Sequence, residues 1–431
     1  MLQNTGVILE DYTVSLRNGF LPDTIPLAHL PEPYYNPWEC IAADLPELIR
    51  TGRIREEVEG LPVLSTDKLH TEAEWRRAYV LLAFFTHAYI WGGQKPKNIL
   101  PPAISCPFLQ VSEHLELPPC ATYAALNLWN FVPRSPDCDL TDPDNLMVAN
   151  SFTDTIDEEW FLMVSVAIEA RGAKVIPMML NAIDAVNMND SVLVTSLLDN
   201  LTQCLGELAV LLERMYENCD PPVFYHQIRP FLAGSKNMAV AGLPDGVFYD
   251  RGDGNGEWRQ YSGGSNAQSS LIQLFDIVLG VEHRSTGERS TNSGHQTKDR
   301  PGFLEEMRNY MPGPHRRFLT LLSKISNIRP YAMAHPSYSD VRRAYNEAVL
   351  MLGVFRDKHI QIVSRYIIMQ SKQKENHTEK SGRINLATAS PEVSSKKDEN
   401  SRNLHGTGGT SLIPFLKQTR DETKAAARYI G

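Results

Sequence analysis

Only six cysteines occur in 431 residues (Cys40, Cys106, Cys120, Cys138, Cys204 and Cys219), and no two of them form a C-x-x-C pair. That excludes the dense disulfide framework of a small secreted fold and leads us to expect a reducing compartment. Long apolar runs are also missing. The most apolar stretch, 78–91, contains His87 and falls short of the ~20 residues a bilayer-spanning helix needs. The start of the chain carries Glu10 and Asp11 rather than a basic segment followed by an apolar one, so no signal peptide is expected. Asn200-Leu-Thr and Asn376-His-Thr then match the glycosylation pattern by chance. A cytoplasmic location with no membrane partner follows as an expectation. Basic charge is short as well: 42 Lys plus Arg against 51 Asp plus Glu give a net charge of -9, which speaks against a general nucleic-acid binder.

Several catalytic signatures are absent too. There is no Gly-x-Ser-x-Gly elbow and no His-Glu-x-x-His zinc helix, and the 12 histidines are scattered singly without metal-ligand spacing. No Lys-Ser or Lys-Thr follows the glycine pair at 263–264, so it is not a P-loop. The glycines of 252–256 lack the surrounding βαβ unit of a dinucleotide fingerprint.

What is present is ordinary globular material, 42% hydrophobic and 22% charged. The length exceeds the ~250–300 residues at which single cores stop growing, so two domains are expected. Residues 1–145 are rich in proline. We expect an extended arm over 21–37, a helix over 75–91 headed by Glu72 and Glu74, and a proline-rich loop over 101–119. A helix-like run over 121–131 and a boundary near 133–143 follow. From 154 the pattern turns helical. Asp157, Glu158 and Glu159 head an apolar run ending at Gly172, the mark of a buried central helix. Further helices are expected at 192–217, 221–233, 266–281, 303–310, 314–327 and 338–370, with another inside 411–429. The hairpin signal is 246–262, with Arg251-Gly-Asp-Gly-Asn-Gly at its turn. Residues 371–405, free of Phe, Trp and Tyr, read as a mobile or disordered loop. The fold class is therefore all-α, with a large helical domain over 146–431 and a smaller, mainly helical N-terminal domain with minor β content over 1–145.

Among candidate functional residues His359 comes first. Ala348, Leu352, Phe355, His359, Ile362 and Tyr366 share one helix face. A histidine there is either a core residue satisfied by a backbone carbonyl or an axial ligand to a cofactor. Arg356, one turn earlier, is either a solvated cation or a partner for an anionic group. Gly263 and Gly264 permit a close backbone approach, and Ser265 can cap the following helix. Arg229, on an otherwise apolar helix, calls for a carboxylate from the protein or from a ligand.

These pieces come together in a resemblance. Gly263-Gly-Ser-Asn-Ala-Gln-Ser-Ser, Phe303-Leu-Glu-Glu-Met-Arg-Asn-Tyr-Met-Pro-Gly-Pro-His-Arg, His359-Ile-Gln-Ile-Val-Ser-Arg-Tyr-Ile and Gly406-Thr-Gly-Gly-Thr resemble the indoleamine 2,3-dioxygenase family, from about residue 33 to the C-terminal helix. The resemblance implies haem b between the two domains, with His359 as iron ligand, Arg356 on a propionate, and Asp276 as the acidic partner of Arg356. It implies Phe161 and Ser165 in the distal pocket, Tyr123 at its lining, and Phe224 with Arg229 on the indole and carboxylate of the substrate. Gly264 and Ser265 fall near the haem edge, and Thr407 falls on a loop closing over substrate. The implied reaction opens L-tryptophan with O2 to N-formylkynurenine, the first step of the kynurenine pathway, in a monomer served by a cellular reductant. The alternative is a haem-binding sensor with little tryptophan turnover. Leu126, Asn127, Leu162 and the Asn266-Ala267 pair depart from well-known members.

Overall fold

A computed structural model describes residues 6–284, 302–336, 339–372 and 412–427. Helices carry most of this, and the strands are few and short, so the expected all-α class holds. The acids at the helix starts stand where expected, and a capping threonine not anticipated precedes each group. Thr71 caps Glu72–Trp91 by accepting the Glu74 N–H, and Thr155 caps Ile156–Gly172 by accepting the Glu158 N–H. Glu158 reaches back to the backbone N–H groups of Phe152 and Thr153 and the Ser151 hydroxyl. Ile156–Gly172 is buried on nearly all sides and forms the centre of the molecule.

Around that centre, Asp340–Val363 packs along Ser191–Glu213 and against Leu412–Ala426. The buried apolar side chains of the N-terminal part and of the larger helical part run together in one continuous core. The hairpin forms as expected, Val247–Asp250 against Gly256–Arg259, and Ile99–Leu100 adds to it in parallel. His87 ties these regions together. Its Nδ1–H donates to the Phe231 carbonyl (2.7 Å) and its Nε2 accepts the Ala121 N–H (2.9 Å).

The proline-rich segments depart from expectation. Pro102–His114 is a helix rather than a loop, because Pro102 at the first turn forfeits no helical hydrogen bond. Asn36–Arg50 is a helix with Pro37 in its first turn, where the arm was read as extended to 37. The run 121–131 is only a π-helical turn, Ala124–Leu128, followed by Phe131–Pro133 paired with Leu146–Val148. Ile54–Glu59, Val175–Asn187 and Ile328–Ala334 are helices not anticipated. Ser265 caps the short turn Asn266–Gln268, whereas Ser269 caps the helix Ser270–Val278. Of the expected loop 371–405, residues from 373 onward lie outside the described residues.

Gly172 sets the seat of Ser270–Val278, since a Cβ there would stand 2.3 Å from Leu271 Cδ2. Leu271 is fully enclosed and has nowhere to swing. Gly172→Ala is expected to cost about 1–3 kcal/mol through overpacking. Gly206→Ala, whose Cβ would meet only Met351 at 3.9 Å, is expected to be neutral or stabilising by about 0.5–1 kcal/mol. Denaturant midpoints of the two variants test the contrast.

Candidate active site

A cavity opens between the central helix, the long Asp340–Val363 helix and the loops that face them. The long helix contributes Phe355, Arg356 and His359, and the central helix contributes Phe161, Leu162 and Ser165. The segment 224–232 brings Phe224 and Arg229. Tyr123, Leu126 and Asn127 line the N-terminal side, next to Gly264 and Ser265. Nine of the eleven expected site residues thus share one cavity. Asp276 stands behind its wall in an adjoining polar cavity, and Thr407 lies outside the described residues.

Three π-helical turns, Ala124–Leu128, Phe224–Ile228 and Ser364–Ile368, meet at this cavity. Each widened turn re-aims the side chains around it, as such bulges commonly do at functional sites. Phe224 lies 4.8 Å, centroid to centroid, from Phe161 and 5.8 Å from Tyr366. The Arg229 guanidinium sits 5.7 Å from the Tyr225 ring centroid, and burial pulls its pKa below the usual arginine range.

The close approach that Gly263 and Gly264 permit is within the protein. A Cβ on Gly263 would stand 2.1 Å from the Leu232 carbonyl oxygen, and one on Gly264 2.4 Å from Leu126 Cδ1. The pair lets the loop run flat against residues 232–234 and leaves its edge on the cavity.

His359 contrasts with His87. Both ring nitrogens of His87 are satisfied, whereas His359 makes no hydrogen bond among the described residues. Burial, with the Arg356 charge adding to it, pulls the His359 imidazole down to about 4. The part-buried ring lines the cavity. It is therefore a neutral imidazole at ordinary pH, with an uncommitted nitrogen.

Arg356 is clamped by Asp276, whose two oxygens each lie 2.7 Å from the same guanidinium nitrogen, and by the Thr423 hydroxyl. His283 lies between Asp276 (3.2 Å) and Glu422 (3.0 Å). Burial pushes Asp276 upward, but Arg356 and His283 outweigh it and hold the carboxyl below its ordinary value. Sequence reading missed His283, Glu422 and Thr423, because they come from the turn after Ser270–Val278 and from the C-terminal helix, and only folding joins them. It also missed Gln268, which accepts the Tyr123 N–H and donates to the Gly263 carbonyl, so that it sets both loops. Among the described residues no cluster of three or more His, Cys, Asp or Glu side chains could hold a metal ion, and no helix is long and apolar enough to cross a membrane.

A largely apolar cavity with an uncommitted imidazole and buried cations in its wall is the candidate active site of a helical protein. Comparison with known proteins narrows the class. The family model for indoleamine 2,3-dioxygenase matches residues 8–426. The chain is 48% identical to indoleamine 2,3-dioxygenase nanC of Aspergillus nanangensis, over 99% of this chain and 98% of that one. It is 41% identical to indoleamine 2,3-dioxygenase of Saccharomyces cerevisiae (97% and 94% covered). It is 37% identical to 6-hydroxytryptophan 2,3-dioxygenase fscD of Fusarium equiseti (96% of each). The chain belongs to the indoleamine 2,3-dioxygenase family and is a dioxygenase.

Breaking the buried clamp leaves Arg356 uncompensated, so Asp276→Ala is expected to lose about 3–5 kcal/mol at neutral pH. Because the folded pKa of Asp276 is depressed, its stabilisation is full above the unfolded value of about 4 and fades as pH falls below it. Denaturation of both proteins from pH 7 to 3 should show their gap narrowing below about pH 4.

Proposed function

We propose that the chain is a haem-dependent dioxygenase that opens the indole 2,3-bond of L-tryptophan with O2 to give N-formylkynurenine. The observation that carries this reading is the shared cavity of His359, Arg229, Phe161 and Phe224. The residues fit haem b on the chemistry of the donor set. His359 offers a neutral, uncommitted nitrogen to iron, and Arg356, held by Asp276, offers a cation to a propionate. Gly264 and Ser265 line the cavity beside them. Bound haem supplies the activation of O2, and the protein supplies binding and orientation.

In this reading Arg229 anchors the substrate carboxylate, while Phe161 and Phe224 hold the indole. Ser165 offers a single hydrogen bond, and Tyr123 and Ser265 complete the wall. Residues 1–145 cover the distal side of the haem, and 146–431 form the catalytic part. The largely apolar lining excludes water and offers no strong base beside the indole. The setting is cytoplasmic, with a cellular reductant keeping the iron ferrous, and the product enters the kynurenine pathway towards NAD or removes tryptophan. A second reading has a ring-hydroxylated tryptophan as preferred substrate. It is favoured by the likeness to the 6-hydroxytryptophan enzyme.

Haem-supplied protein given reductant, air and L-tryptophan should accumulate N-formylkynurenine, and a parallel reaction with 6-hydroxytryptophan ranks the substrates. Haem binding without either product would leave the sensor reading and contradict this one. Arg229→Ala should raise KM for L-tryptophan about tenfold to a hundredfold, the worth of a charge-assisted contact of about 1.5–3 kcal/mol. An unchanged KM would remove the carboxylate role.

A further inference from the structure

Glu169 lies one turn beyond Ser165 on the same face of the central helix and is 1% exposed. Its partners are hydroxyls. Ser269 Oγ donates to Oε1 at 2.6 Å, and the Tyr123 hydroxyl faces the same carboxyl at a looser approach that leaves Oε2 without a well-formed hydrogen bond. Tyr123 and Ser269 both line the cavity, and Glu169 stands behind them. Among the described residues no cation compensates the carboxyl. Tyr123 is the one titratable group among them that bears on it, and the elements packed on the central helix (Pro143–Asn145, Leu146–Val148, Ser191–Glu213, Met215–Asn218 and the turns Ala124–Leu128 and Phe224–Ile228) present no charge to it, Asp144 and Glu217 included.

We propose that Glu169 is a positioning residue whose proton decides whether the cavity wall made by Tyr123 and Ser269 donates or accepts hydrogen bonds, and so sets the affinity for an amino-acid substrate. This rests on the reading of the cavity as an amino-acid site. An ionised carboxylate only accepts, so it draws both hydroxyl protons to itself and leaves oxygen lone pairs facing the cavity. A protonated carboxyl donates to one of those oxygens and frees that hydroxyl to donate into the cavity. No proton is consumed beyond the one Glu169 takes up. A substrate ammonium, which can only donate, favours the accepting wall. Burial outweighs the hydroxyl bonds and pushes Glu169 up to about 7, which brings the change into the working range.

The test compares the haem-supplied wild type with Glu169→Gln from pH 5.5 to 8.5. It measures KM and kcat for L-tryptophan, tryptophan affinity from the Soret shift of the ferric protein, and the melting temperature. In the wild type KM should fall severalfold as pH rises through about 7, with kcat nearly constant. In Glu169→Gln KM should stay at the acid-side value throughout. The folded carboxyl keeps a proton that the unfolded chain releases near 4.5, so wild-type stability should decline relative to Glu169→Gln as pH rises towards 7 and then level. An inflection that survives in Glu169→Gln, or is missing from the wild type, overturns the proposal. If neither protein consumes tryptophan but wild-type affinity alone inflects, the proposal stands and the turnover reading falls. Should Glu169→Gln fail to fold, Ser269→Ala removes one donor to the ionised form and should move the inflection upward; an unmoved inflection overturns the proposal.

Discussion

The cavity depends on one constraint: an imidazole held neutral where no group among the described residues bonds to it. Burial strips water from His359, and Arg356, one helical turn away, repels a proton on the same ring. Either effect alone would favour the neutral form, and together they pull it far below the usual histidine value. The repelling cation has to be paid for in turn. Asp276 clamps it with both oxygens, and His283, Glu422 and Thr423 extend the clamp to the C-terminal helix. One wall of the cavity is thus an electrostatic chain running from the long helix through Ser270–Val278 to Leu412–Ala426.

The opposite walls are held by hydrogen bonds rather than ion pairs. His87 joins the start of the Tyr123 loop to the carbonyl of Phe231, two residues past Arg229. Gln268 joins Tyr123 to the glycine pair, and Ser269 reaches Glu169 on the central helix. These contacts fix the positions of Tyr123, Arg229 and Ser165 relative to one another although they come from three separate parts of the chain. The π-helical turns follow from the same need, because a regular helix would aim fewer side chains at a common centre.

Much of this was legible in the chain. The 3.6-residue stripe from Ala348 to Tyr366 identified the long helix and the face that bears His359. Asp157, Glu158, Glu159 and Gly172 bounded the central helix, and Asp253 between glycines marked the hairpin turn. Prolines misled where they begin helices, since Pro37 and Pro102 look like breakers in sequence but sit in first turns, where no hydrogen bond is lost. The π-helical turn at 124–128 carries no distinct periodicity and was read as plain helix. Long-range partners such as His283, Glu422 and Gln268 have no local signal, because their roles exist only once separate elements meet. Arg229 could be singled out by type on an apolar helix and Phe224 through the family resemblance, but their shared cavity with His359 is a property of the fold.

The central claim is that His359 is the iron ligand, and the absorption spectrum of haem-reconstituted protein tests it most directly. Wild type should show a strong Soret band that responds to reduction. His359→Ala should lose haem or show an altered band, and added imidazole should restore the wild-type spectrum by filling the vacated side chain. An unchanged spectrum and unchanged haem content in His359→Ala would contradict the account and return His359 to the core.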